Sequence, residues 1–127
     1  MNVYDEVYRL AKAIQESKEY KEYKEIKEII MKEPGLKDKV DEFEKIRYEE
    51  QVLTMQGEKQ SDEKMKKLQD LYQILVQNPN VKDYFQKEIH FNVLIADVNK
   101  IIGEAIKDVL WCENIIFIIL QMFFLIV

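Results

Sequence analysis

The sequence predicts an all-α fold, an elongated bundle of about five helices with a long last helix, and three observations carry that expectation. Helix-forming residues dominate the 127 positions, whereas Gly occurs three times and Pro twice, too few turn residues to join many strands. Apolar residues recur at steps of three and four along most of the chain. The interruptions of that pattern fall at Ser17, Pro34-Gly35, Gly57, Ser61 and Asn78-Pro79, residue types that start or stop helices.

Val3, Val7, Leu10 and Ile14 define one face of a first helix over about residues 3–16, with Tyr4 and Ala11 widening the stripe. Ser17 can cap a second helix, which runs to about Lys32 and contains four copies of one triplet: Lys18-Glu19-Tyr20, Lys21-Glu22-Tyr23, Lys24-Glu25-Ile26 and Lys27-Glu28-Ile29. A three-residue period on a 3.6-residue helix drifts by about 60° per step, so the apolar stripe must wind around the axis. After Pro34-Gly35 a third helix carries Leu36, Val40, Phe43, Ile46 and Leu53 toward the core and stops at Gly57. Ser61 caps a fourth helix, with Asp62 and Glu63 in its first turn and Met65, Leu68, Tyr72 and Leu75 on its apolar face, ending near Gln77.

Asn78-Pro79 then starts the fifth helix. Its seam runs Val81, Tyr84, Glu88, Phe91, Ile95, Val98, Ile102, Ala105 and Val109, with Glu88 alone breaking the apolar register. Continued to Leu110, this helix would be about 48 Å long at about 1.5 Å per residue, while a compact chain of this size has a radius of gyration of about 14 Å. The seam is therefore expected to bury itself against a second subunit, and Phe91, Leu94, Ile95, Val98, Ile101 and Ile102 are the expected interface of a homodimer.

Composition narrows the function classes. Nineteen basic against 24 acidic residues give a net charge of −5, which opposes approach to a phosphate backbone, so direct nucleic-acid binding is not expected. The single cysteine, Cys112, cannot form an intramolecular disulfide, and Asp5 and Glu6 stand where a secretory leader would be basic and then apolar; the chain reads as cytoplasmic. No Gly-rich phosphate loop, nucleophile elbow or paired metal-ligand motif occurs, so neither an enzyme, a metal nor a cofactor is expected. Two other classes remain. One is an enzyme that uses carboxylates and the lone His90; the other is an RNA-binding module built on Lys18, Lys21, Lys24 and Lys27, whose charge the alternating glutamates oppose.

Asn78-Pro79-x-Val81-Lys82-x-Tyr84 and Phe91-Asn92-x-Leu94-x-Ala96-Asp97-Val98-x-Lys100-Ile101-Ile102-Gly103-Glu104-Ala105 resemble the YlbF/YmcA family, in particular its YheA-like branch. Tyr4-Asp5, Leu10-Ala11 and the Ser17-to-Tyr23 stretch are similar to the first two helices of that branch, so the resemblance covers about residues 1–110. It implies a small helical bundle with a long last helix, usually dimeric, from low-GC Gram-positive bacteria. It also implies a role akin to adaptors that assemble with one another and a third protein, influence competence, sporulation and biofilm formation, and modulate an RNA-cleaving endonuclease. Some of those relatives hold cysteine-ligated iron–sulfur clusters; here Cys112 is the sole candidate and lies beyond the resemblance.

The expected domain therefore spans residues 1–110, followed by an atypical hydrophobic tail over 111–127 in which Ile115 to Val127 carries no charge. Thirteen residues make about 20 Å of helix, short of the roughly 30 Å hydrocarbon thickness, so a membrane span is not expected. The alternatives for this tail are an altered reading frame or other artefact, burial in an oligomer, and an anchor that would have to bury Glu113.

Overall fold

The structure is a computed structural model that describes residues 1–110. It contains five helices: α1 (Val3–Glu16), α2 (Lys18–Met31), α3 (Pro34–Met55), α4 (Asp62–Leu75) and α5 (Pro79–Ile106), with no strand among the described residues. Cys112 and the expectations attached to the tail lie outside the described residues.

Side-chain caps set most of the boundaries. The Asn2 carboxamide oxygen accepts the Tyr4 N–H at 2.9 Å and opens α1, with Asp5 and Glu6 in the first turn. Ser17 punctuates twice: its hydroxyl donates to the Ile14 carbonyl at the end of α1 and accepts the Tyr20 N–H at 3.2 Å at the start of α2. Pro34 does more than break the chain, because it occupies the first turn of α3, where a missing N–H costs nothing. Helix α3 therefore begins before Leu36, and only Lys32 and Glu33 separate it from α2.

Gly57, at φ 75°, terminates α3 in a left-handed cap: its N–H reaches the Thr54 carbonyl at 3.1 Å and the Glu58 N–H reaches that of Leu53 at 2.9 Å. Ser61 caps α4 by accepting the Lys64 N–H at 3.3 Å, and Asn78 starts α5 by accepting the Asn80 N–H at 2.9 Å. Two ends differ from the expectation. Helix α4 closes at Leu75 rather than near Gln77, and α5 closes at Ile106 rather than Leu110. Asp108 falls where a continued α5 would set a carboxylate against the negative end of its dipole. The 28 residues of α5 still span roughly 42 Å.

The chain divides into two compact units. One is Glu22–Gln86; the other joins Met1–Lys21 to the residues from Lys87 onward. The core of the first collects Ile26 and Ile30 from α2, Val40 and Phe43 from α3, Leu75 from α4, and Val81, Tyr84 and Phe85 from α5. Phe85 centres an aromatic group, with ring centroids 5.3 Å from Phe43, 5.3 Å from Tyr72 and 5.5 Å from Tyr84.

The drift of the triplet repeat is visible here. Tyr23 is half-buried and Ile26 buried, but one further step carries Ile29 out to 41% exposure, and Ile30 takes the core position at 2%. In the other unit Tyr20 meets Phe91 at 6.1 Å between ring centroids, and Glu88, Ile95 and Asn99 are buried along α5. Helix α1 contributes no buried residue: Leu10 and Ile14 are half-buried, while Val3, Tyr4 and Val7 are exposed.

Candidate protein-interaction surface

Successive residues of a helix are about 100° apart, so the six expected interface residues of α5 cannot all share one narrow face. Ile95 turns inward and is buried with Asn99. Phe91, Leu94, Val98 and Ile102 are half-buried, and Ile101 is 68% exposed. Leu94, Val98, Ile101 and Ala105 are spaced four, three and four residues apart. Those steps keep the row within one stripe of the helix, the pattern of a seam that packs lengthwise on another helix. The uncovered face of α1 is a second apolar surface in the same unit.

Several polar side chains act as struts between helices. Tyr84 of α5 donates to Glu44 Oε1 of α3 at 3.1 Å, with the Tyr23 hydroxyl of α2 at 3.5 Å from that of Tyr84. Glu44 also pairs with Arg47, whose guanidinium lies 5.4 Å from the Phe43 ring centre. Helices α3 and α4 are linked by Lys67 to Glu42 at 2.8 Å and by Lys64 to Glu49 at 3.1 Å. The hydrogen bond and charge of Glu42 hold the Lys67 ammonium above its ordinary 10.5. The same pair of causes from Asp41 raises Lys37.

Glu50 is the group that sequence reasoning missed. Its side chain is only 1% exposed; Oε2 accepts the Ser61 N–H at 3.0 Å and Oε1 has no hydrogen-bond partner among the described residues. The signal was present, since Glu50 stands seven residues after Phe43 on the same helical stripe as Val40 and Ile46. The carboxylate ties the end of the α3–α4 loop to α3 and places negative charge beside the N-terminus of α4. Asn99 is a second missed group, buried on α5 with its Nδ2 unpartnered among the described residues.

His90 is exposed, whereas the carboxylates Glu50 and Glu88 are buried. Among the described residues no group of three or more His, Cys, Asp or Glu side chains could hold a metal ion. No helix among them is long and apolar enough to cross a membrane.

These features define a helical protein in which a few polar side chains join helices and in which α1 and α5 expose apolar residues. The chain belongs to the YlbF/YmcA family: the family described as "Control of competence regulator ComK, YlbF/YmcA" matches residues 3–107. It is similar to the UPF0342 protein of Caldicellulosiruptor bescii, 40% identical over 112 residues that cover 87% of this chain and 94% of the relative. The UPF0342 protein of Symbiobacterium thermophilum is 36% identical, covering 82% and 93%, and that of Bacillus cytotoxicus is 32% identical, covering 84% and 92%. No solved structure matches the chain.

Proposed function

We propose that this chain is a non-catalytic, homodimeric adaptor of the cytoplasm that assembles through the outward stripe of α5. The observation that carries the reading is Ile101, a large apolar side chain left 68% exposed in the row Leu94, Val98, Ile101 and Ala105. Phe91 and Ile102 flank that row, while Ile95 anchors α5 within its own chain. The family's description as controlling a competence regulator supports action through other proteins rather than through a reaction. Modulation of RNA processing and of developmental programmes, by assembly with related adaptors, is the corresponding physiological role.

Light scattering on a sizing column tests the assembly: twice the monomer mass is expected at micromolar concentration. Ile101→Asp should return the monomer mass with unchanged helix content, because the substitution puts a carboxylate into the seam and leaves the chain's own core intact. A parent protein that is monomeric, or an Ile101→Asp variant that stays dimeric, would overturn the proposal.

A further inference from the structure

On α2 the triplet repeat does something that its composition conceals. Lysine and glutamate alternate in sequence, but each residue type follows its own ridge around the helix, and neighbouring ridges stand about 100° apart. Lys24 and Lys27 therefore share a face with Met31, which lies four residues beyond Lys27, and Lys32 closes the end of that face. The structure shows a shallow groove of about 490 Å³ there, lined by Lys24, Lys27, Glu28, Met31 and Lys32. Met31, the one apolar side chain that lines it, is 47% exposed, and Lys24, Lys27 and Lys32 have no ionic partner among the described residues. Three lysines against Glu28 make a locally basic rim on a chain of net charge −5.

We infer that this groove docks an acidic segment of another protein, seating an apolar side chain on Met31 while flanking carboxylates meet Lys24, Lys27 and Lys32. The apolar Met31 side chain and the Glu28 carboxylate favour that ligand over a nucleic-acid backbone, which offers charge everywhere and no side chain to bury. Methionine suits such a contact, because its unbranched, polarisable side chain adapts to differently shaped apolar partners. The volume has room for side chains rather than for a single ion. The inference rests on the reading of the chain as an interaction protein, but it concerns residues of α2 rather than the α5 stripe.

The test uses the full chain and a fluorescein-labelled helical peptide in which one leucine is flanked by glutamates three and four residues away on both sides. Saturable binding is expected by anisotropy, with a chemical-shift change at the Met31 methyl. Raising salt from about 50 to 200 mM should weaken it several-fold, because the charges at the rim are solvent-exposed. The double variant Lys24→Glu, Lys27→Glu should weaken it at least about tenfold, as like charges replace opposite ones, and replacing the peptide leucine by serine should weaken it similarly. Binding indifferent to either change would overturn the inference, as would an absence of binding at millimolar peptide. Tighter binding of an oligoadenylate RNA of equal charge would overturn it in favour of phosphate recognition. Light scattering on the same samples reports the α5 dimer independently, so failure of one reading is distinguishable from failure of the other.

Discussion

Ile29 and Ile30 are adjacent, chemically identical and differently placed, so replacing each by alanine isolates the effect of helical phase. Ile30 is 2% exposed in the core of the Glu22–Gln86 unit, whereas Ile29 is 41% exposed. Truncating a fully buried isoleucine removes its transfer free energy and leaves a cavity, together about 2–5 kcal/mol, and we take about 3–4 for a site in the core cluster that includes Val40, Phe43 and Leu75. At Ile29 solvent fills the vacated space, so the cavity contribution vanishes. What remains is a fraction of the roughly 1.5–3 kcal/mol for full burial, reduced by a few tenths through the better helix propensity of alanine, leaving about 1 kcal/mol. With an unfolding entropy of about 2.1 cal/mol/K per residue over the described chain, each kcal/mol shifts Tm by about 4 °C. Thermal unfolding by circular dichroism should then show Ile30→Ala lowered by roughly 12–16 °C and Ile29→Ala by about 4 °C or less. Equal shifts, or a larger one for Ile29→Ala, would refute the phase assigned to α2.

Three further outcomes follow from single contacts. Tyr84→Phe removes the donor to Glu44 while keeping the buried ring, and should cost about 0.5–1.5 kcal/mol in urea unfolding; no loss would mean that the Tyr84–Glu44 strut contributes nothing. Gly57→Ala should cost about 1 kcal/mol through backbone strain alone, because φ is 75° and nothing stands within 4 Å of an added Cβ. Lys67 should titrate above 10.5 by NMR and return toward it in Glu42→Gln. Since the folded state raises that pKa, the pair's contribution is fully present below the unfolded value and is lost as pH rises through the folded one; a Lys67 titration unmoved by Glu42→Gln would exclude this cause.

How much of this was legible in the sequence depends on the range of the interaction involved. Caps act over two to four residues, and Ser17, Gly57, Ser61 and Asn78 mark their helices where the residue types say they should. Helix ends without a cap were less legible: α5 stops at Ile106 although apolar periodicity continues to Val109. Periodicity also named Phe91, Leu94, Ile95, Val98, Ile101 and Ile102 as one surface, because a seam of threes and fours cannot say which edge its own chain will cover. The structure turns Ile95 inward and leaves Ile101 out. Glu50 escaped because a carboxylate on an apolar stripe looks like an interruption until its partner is known, and that partner, the Ser61 N–H, lies eleven residues away across a loop.

The four-fold triplet of α2 also constrains how this segment can vary in length. Because the units are chemically near-synonymous, loss or duplication of one would leave the local composition and charge order almost unchanged. Geometrically the event would be drastic, since it would shift everything beyond it by about 4.5 Å and turn it by about 60°. Ile26 and Ile30 would leave the orientation that buries them beside Val40 and Phe43. A repeat of this kind should therefore be long-lived in copy number even where its individual letters drift, and relatives that differ by whole triplets here should carry compensating changes in the residues that Ile30 now touches.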